Sequence, residues 1–155
     1  MTVDSERAVA LAWKAVGTRE RTEHELRTYL EGKKIEPAAI EEAVAELAEA
    51  GIVDDAVYAR RFVEDRRAVQ SWGRERIERD LFRRGVDRSL IEQALAPSDD
   101  HDEMDAALGV LGDRFAVAPE DDRERNRAWQ LLVRRGYSPD LAYEAVRRHA
   151  QQRAA

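Results

Sequence analysis

One spacing constrains this chain more than any other feature: apolar positions recur at a constant offset of 51 residues. Leu30, Leu81 and Leu132 align, each followed by an apolar turn residue at Ile35, Val86 and Tyr137. Ala43, Ala94 and Ala145 align further on, with Val44, Leu95 and Val146 beside them. Ala8 and Leu11 match Ala59 and Phe62 at the same offset. An internal repeat of about 50 residues points to an array of similar units, each packed mainly on its neighbours. The expected boundaries are 1–51, 52–97 and 98–155.

Within each unit the apolar residues follow helical spacing. Glu6–Val16 carries a stripe of Val9, Ala12, Trp13 and Val16. Thr22-x-x-Glu25 is a capping box, in which each side chain satisfies a backbone N–H at the start of a helix. Glu36-Pro37 opens a third helix, because Pro is well tolerated at the first helical position. Ile40, Ala43, Val44, Leu47 and Ala48 form its apolar face, and Gly51 stops it. The second unit reads Gly51–Gly85 as two helices joined by a turn near Ser71–Gly73, with Asp54 or Asp55 as the cap. Tyr58, Ala59, Phe62, Val63 and Val69 share one arc of the first helix, and Ile77, Leu81 and Phe82 one side of the second. Pro97–Asp100 reads as a linker and Ala118–Asp122 as an acidic loop. The third unit's later helices hold Trp129, Leu132 and Val133, then Leu141, Ala142, Ala145 and Val146, and the tail after His149 is expected to fray. The expected fold is all-α, an elongated array of three tandem three-helix repeats, nine main helices without a sheet.

Composition agrees, since 37% of the residues are charged and only 6% are aromatic, with 8 Gly and 4 Pro. There is no cysteine, so neither a disulfide framework nor a thiolate metal site is available. No apolar run reaches the roughly 18 residues of a membrane span, and MTVDSER lacks the features of a signal peptide. A cytoplasmic chain is expected.

The net charge of −6 is unevenly spread. Residues 98–125 hold ten acids against three bases, whereas residues 126–155 hold six bases against two acids. Strong non-specific DNA binding by the whole chain is therefore disfavoured. A local basic face is not. Arg76, Arg79 and Arg83 form a stripe roughly opposite Ile77, Leu81 and Phe82. Arg83-Arg84-Gly85 recurs as Arg134-Arg135-Gly136, with Lys33-Lys34 at the corresponding place in the first unit. Cations next to a helix-ending Gly complement the helix dipole. The same cations also make a periodic basic row suited to a polymeric acidic partner. Both readings stand. The candidate partner-binding residues are Arg76, Arg79, Arg83, Arg84, Arg134 and Arg135; the candidate structural ones are Asp54, Asp55, Arg66, Gly85 and Gly136.

Arg66 falls inside the apolar arc. Either its stem packs while the head reaches water, or it pairs with Asp54 or Asp55 as a buried ion pair. Trp72, beside Gly73, is either a core anchor or exposed in the turn. The third helices begin EPAAIEEA, DRSLIEQA and SPDLAYEA, too acidic and apolar for base reading, although the outline resembles a helix-turn-helix. His24, His101 and His149 lack ligand spacing, with His101 in an acidic linker. No nucleophile has a base, and no metal, cofactor or catalytic residue is indicated.

Several stretches together resemble one family. They are Arg19-x-Arg21-Thr22-x-x-Glu25-Leu26, Gly51-Ile52-Val53-Asp54-Asp55-x-x-Tyr58-Ala59 and Phe62-Val63-x-x-Arg66. They continue as Gly73-x-x-Arg76-Ile77-x-x-x-Leu81-x-x-x-Gly85-Val86 and Leu132-x-x-Arg135-Gly136-Tyr137-Ser138. Over about residues 6–148 the chain is similar to the RecX-type regulators of the RecA recombinase. The resemblance implies a non-enzymatic protein of three-helix repeats that binds the RecA–DNA filament. It would oppose filament growth, ATP hydrolysis and strand exchange in DNA repair, recombination and the SOS response. A monomer with at most weak DNA binding of its own, and no membrane contact, is expected. The competing expectations are a helical-repeat adaptor for another protein and a helix-turn-helix DNA-binding array.

Overall fold

The computed structural model describes residues 2–154, with side chains to Gln152. The described residues form nine α-helices and no strand. In order these are α1 (Val3–Thr18), α2 (Glu23–Gly32), α3 (Pro37–Glu49), α4 (Asp55–Gln70), α5 (Arg74–Arg83), α6 (Arg88–Leu95), α7 (Asp100–Arg114), α8 (Asp122–Arg135) and α9 (Pro139–Ala154).

Start signals act where the sequence places them. Thr22 caps α2 with the full reciprocal box to Glu25, Pro37 opens α3, and Asp54 Oδ1 accepts from the amides of Ala56 and Val57 at the start of α4. Asp99 is a cap and not linker: with Asp102 it forms a second capping box and begins α7. Helix ends show the 51-residue spacing directly. Lys34, Gly85 and Gly136 all have positive φ, at 61°, 85° and 101°. Each donates its N–H three residues back, to Glu31, Phe82 and Val133, and the next residue donates to Leu30, Leu81 and Leu132. The left-handed turn exposes and then satisfies the last carbonyls of the helix. Only the first of the three turns does this without glycine.

The chain folds into two compact units. One comprises the residues up to Arg61 with Leu81–Glu92; the other comprises Phe62–Asp80 with the residues from Gln93 on. The first has a core of Ala8, Ala12, Ala15, Leu26, Leu30, Ile40, Ala43, Val44, Leu47 and Val53, where α1, α2 and α3 pack together. In the second, Met104, Ala107, Leu111, Ala128, Leu132, Tyr137, Ala142 and Ala145 fill the space among α7, α8 and α9. Ala43, Ala94 and Ala145 are all buried.

Four expectations are corrected. Helix α1 buries the line Ala8, Ala12 and Ala15, and Trp13 is exposed, because helices approach closely over small residues. On α5 the buried face runs through Ile77, Asp80 and Leu81; Phe82 lies about 100° from Leu81 and is 63% exposed. Val69, in the last turn of α4, is 81% exposed. After His149 the chain continues in α9 to Ala154, anchored by a hydrogen bond between the buried His149 ring and the Phe115 carbonyl.

Candidate functional site

In the second unit, the start of α5 is built onto the end of α8. Gly73 donates its N–H to the Arg135 carbonyl at 2.7 Å, and Glu75 donates to Gly136 at 2.9 Å. From the other side, Arg135 Nη1 donates to the Gln70 carbonyl at 2.9 Å, and the Tyr137 hydroxyl donates to Ser71 at 2.7 Å. Donors that α5 leaves unpaired thus meet acceptors that α8 leaves unpaired. Two glycines permit the approach. A Cβ on Gly73 would lie 2.5 Å from the Gly136 oxygen, and one on Gly136 would lie 2.3 Å from Arg76 Cβ.

This junction brings together basic residues that are far apart in sequence. The Arg76 guanidinium sits 3.8 Å from the centre of the Trp72 ring, and its Nη1 donates to the Arg134 carbonyl at 3.2 Å. Arg66 lies over the same indole at 5.2 Å and over Phe62 at 4.4 Å, while Phe62 meets Trp72 edge-on at 6.3 Å. Trp72 is therefore half-buried with two guanidinium groups against it, neither a free turn residue nor a plain core anchor. Arg79 is exposed one turn further along α5, and Arg134 is exposed at the end of α8. Among the described residues, no carboxylate pairs with Arg66, Arg76, Arg79 or Arg134.

The expected pairing of Arg66 with Asp54 or Asp55 is not formed. Eleven residues of helix separate Asp55 from Arg66, about 16 Å along the axis. Both aspartates are engaged near the helix start instead, Asp54 in capping α4 and Asp55 in accepting the Glu23 amide at 3.0 Å. Burial pushes the Asp55 carboxyl above its ordinary range, against that hydrogen bond.

A buried carboxylate that sequence reasoning missed holds the α4–α5 turn in place. Glu103 is 6% exposed; Oε1 accepts from Arg67 Nη2 at 2.9 Å, and Oε2 accepts from the Arg74 amide at 3.1 Å. Ser98 completes the network: its hydroxyl accepts from Arg67, and its carbonyl accepts from Arg74 Nη2 at 2.6 Å. Burial raises the Glu103 carboxyl, and the Arg74 amide and Arg67 charge only partly oppose it. A signal did exist, since Glu103 shares the helical stripe of Ala107, Val110 and Leu111.

The remaining sequence candidates lie in the first unit. Arg83 is exposed. Arg84 is half-buried: its Nη1 donates to the Tyr58 hydroxyl at 2.6 Å, and its carbonyl accepts from Thr22 Oγ1 at 2.7 Å. Gly85 passes so close to His24 that a Cβ would lie 2.1 Å from the His24 Cβ. Among the described residues, no group of three His, Asp or Glu could hold a metal ion, and no helix is long and apolar enough to cross a membrane. What the junction can do chemically is present several unpaired guanidinium groups to an anion.

Comparison with known proteins agrees with the helical plan. Residues 8–47 match the family profile described as the first three-helix domain of RecX, and residues 54–95 match its second three-helix domain. The regulatory protein RecX of Mycobacterium avium is 34% identical over 145 residues, covering 91% of this chain and 83% of that protein. That of Deinococcus radiodurans is 33% identical over 146 residues, covering 94% and 70%. The crystal structure of RecX from Lactobacillus salivarius superposes with a TM-score of 0.82 at 20% identity, over 96% of this chain and 97% of that one. Two matching domains and relatives aligned over most of their length make this chain a member of the RecX family of regulatory proteins.

Proposed function

We propose that this chain regulates the RecA recombinase, as a cytoplasmic monomer that binds the RecA–DNA filament and inhibits its growth, ATP hydrolysis and strand exchange during DNA repair and recombination. The protein is not itself an enzyme in this reading. The observation that carries it is the gathering of Arg66, Arg76, Arg79 and Arg134 without carboxylate partners in a chain whose net charge is −6. Acidic residues are abundant elsewhere, so leaving these cations unpaired keeps them available to a polyanion. Arg84 and Arg135 contribute mainly to folding, through Tyr58 and Gln70. Residues 98–155 are read as a third copy of the three-helix unit, on the strength of the left-handed turns at Lys34, Gly85 and Gly136. A helical filament offers the same contacts repeatedly along its length, and a repeated protein can engage more than one of them.

The test is titration of the protein into RecA filaments on single-stranded DNA while ATP hydrolysis is followed. Wild-type protein should slow hydrolysis, less so as salt rises. Arg79→Glu combined with Arg134→Glu should remove most of the effect. Because both side chains are exposed and unpaired, melting should change by no more than about 0.5 kcal/mol per site. Undiminished inhibition by the double variant would move the contact away from this junction. An absence of any wild-type effect on hydrolysis would favour an adaptor role for the helical units.

A further inference from the structure

We infer that Arg66 and Arg76, held on Trp72, form a phosphate-binding clamp for a nucleic-acid strand. This rests on the filament-binding reading and names the part of the filament that the junction touches. Both guanidinium carbons lie within 5.2 Å of one indole centre, so they are at most about 9 Å apart. Neither guanidinium pairs with a carboxylate among the described residues, so each keeps N–H groups for an acceptor while its charge rests against the ring. For Arg66 the support is double, since Phe62 underlies the same group at 4.4 Å. Arg66 Nε is enclosed and has no acceptor among the described residues, so the terminal nitrogens are left to make its hydrogen bonds. Arg76 has committed only Nη1, to the Arg134 carbonyl.

The surroundings favour an anion. Arg134 and Arg79 stand nearby without ion pairs, and Glu75, four residues before Arg79, does not pair with it. Glu75 and Glu78 are exposed on α5, and Asp80 is buried. Two guanidinium groups against one ring suit the free oxygens of phosphodiesters, where the planar fork gives bidentate geometry that an ammonium cannot. The ligand class is the backbone of a single strand, read without regard to sequence.

The experiment uses full-length protein and a fluorescein-labelled oligothymidylate, followed by anisotropy over a salt series. Arg66→Gln should weaken binding about five-fold and lower the salt slope by about one. Arg66→Lys should not restore it. Equal affinity and slope for Arg66→Gln and wild type would overturn the clamp. Because Arg66→Gln also alters packing, a second measurement uses Trp13→Phe with Trp129→Phe, which leaves Trp72 as the only tryptophan. Its emission should shift on adding the oligonucleotide or inorganic pyrophosphate, and should not shift on adding polyglutamate. A silent Trp72, or an equal response to polyglutamate, would also overturn it. If Arg66→Gln loses RecA inhibition but binds the oligonucleotide normally, the contact is with the recombinase, so the clamp falls and the filament reading stands. If it loses the oligonucleotide while wild-type protein leaves RecA unaffected, the clamp stands and the filament reading falls.

Discussion

No side chain larger than hydrogen fits at Gly136, because a Cβ there would lie 2.3 Å from the Cβ of Arg76. The opposing atom belongs to the stem of a helix whose first amides already bond to Arg135 and Gly136, so it cannot swing aside. The φ of 101° adds its own strain for any other residue. Gly136→Ala should therefore destabilise the protein by roughly 2–4 kcal/mol, more than a left-handed position alone would cost. Urea unfolding followed by circular dichroism measures this, and a loss below about 1 kcal/mol would mean that α5 yields easily.

Arg66 is expected to matter less for folding than a buried ion pair would. A desolvated guanidinium over aromatic rings contributes on the order of 1–2 kcal/mol, against about 3–5 for breaking a buried pair. Arg66→Ala should fall in the lower range, and Asp54→Ala combined with it should be additive. A coupling energy above about 1 kcal/mol in that double-mutant cycle would revive the pair.

Thr22 combines two hydrogen bonds in one fully buried hydroxyl, accepting from the Glu25 amide at 3.1 Å and donating to the Arg84 carbonyl at 2.7 Å. Thr22→Ala should cost about 2 kcal/mol, the sum of a lost cap and an unsatisfied buried carbonyl. Thr22→Ser should recover most of it. Failure of serine to do so would assign the effect to the methyl group and its packing.

Glu103 gives a pH signature whose sign follows from its burial. Burial raises its carboxyl above the ordinary 4.5, so its protonated form is the one the fold favours. That contribution is fully present below 4.5 and is lost as pH rises through the folded value. The stability of wild type minus that of Glu103→Gln should therefore decline across this window, measured by thermal melts between about pH 4 and pH 7. A difference that grows with pH would show that Arg67 and the Arg74 amide outweigh the burial.

Helix starts were the most legible part of the fold, because Thr22, Pro37 and Asp54 act through neighbours three or four residues away. The left-handed turns were legible at Gly85 and Gly136 but not at Lys34, where only the offset marks the position. Exposure was harder to read. The arcs through Val69 and Phe82 say which way a side chain points on its helix, and not whether anything arrives to cover it. At the candidate site the stripe of Arg76 and Arg79 and the pair Arg134 and Arg135 were each visible as separate patches. That Arg76 bonds to Arg134 depends on two backbones meeting at Gly73 and Gly136, a contact 63 residues apart in the chain, which no local pattern encodes. Glu103 was hidden by its setting, since one buried acid in a run of exposed ones has the composition of a solvated surface.

The stretch that recurs along the chain is not the stretch that folds as one body. Helices α4, α5 and α6, the middle copy by sequence, are each divided between the two compact units. A polypeptide ending at Gly51 would lack the Asp55 carboxylate that Glu23 needs and the Arg84 carbonyl that Thr22 needs. One starting at Ser98 would lack Arg67, Arg74 and Tyr137's acceptor at Ser71. The 51-residue spacing belongs to the sequence pattern, while the compact packing belongs to groupings that cut across it. Exchanging repeats between relatives at their sequence borders would sever both bodies; only exchanges cut within α4, α5 and α6 together would respect them.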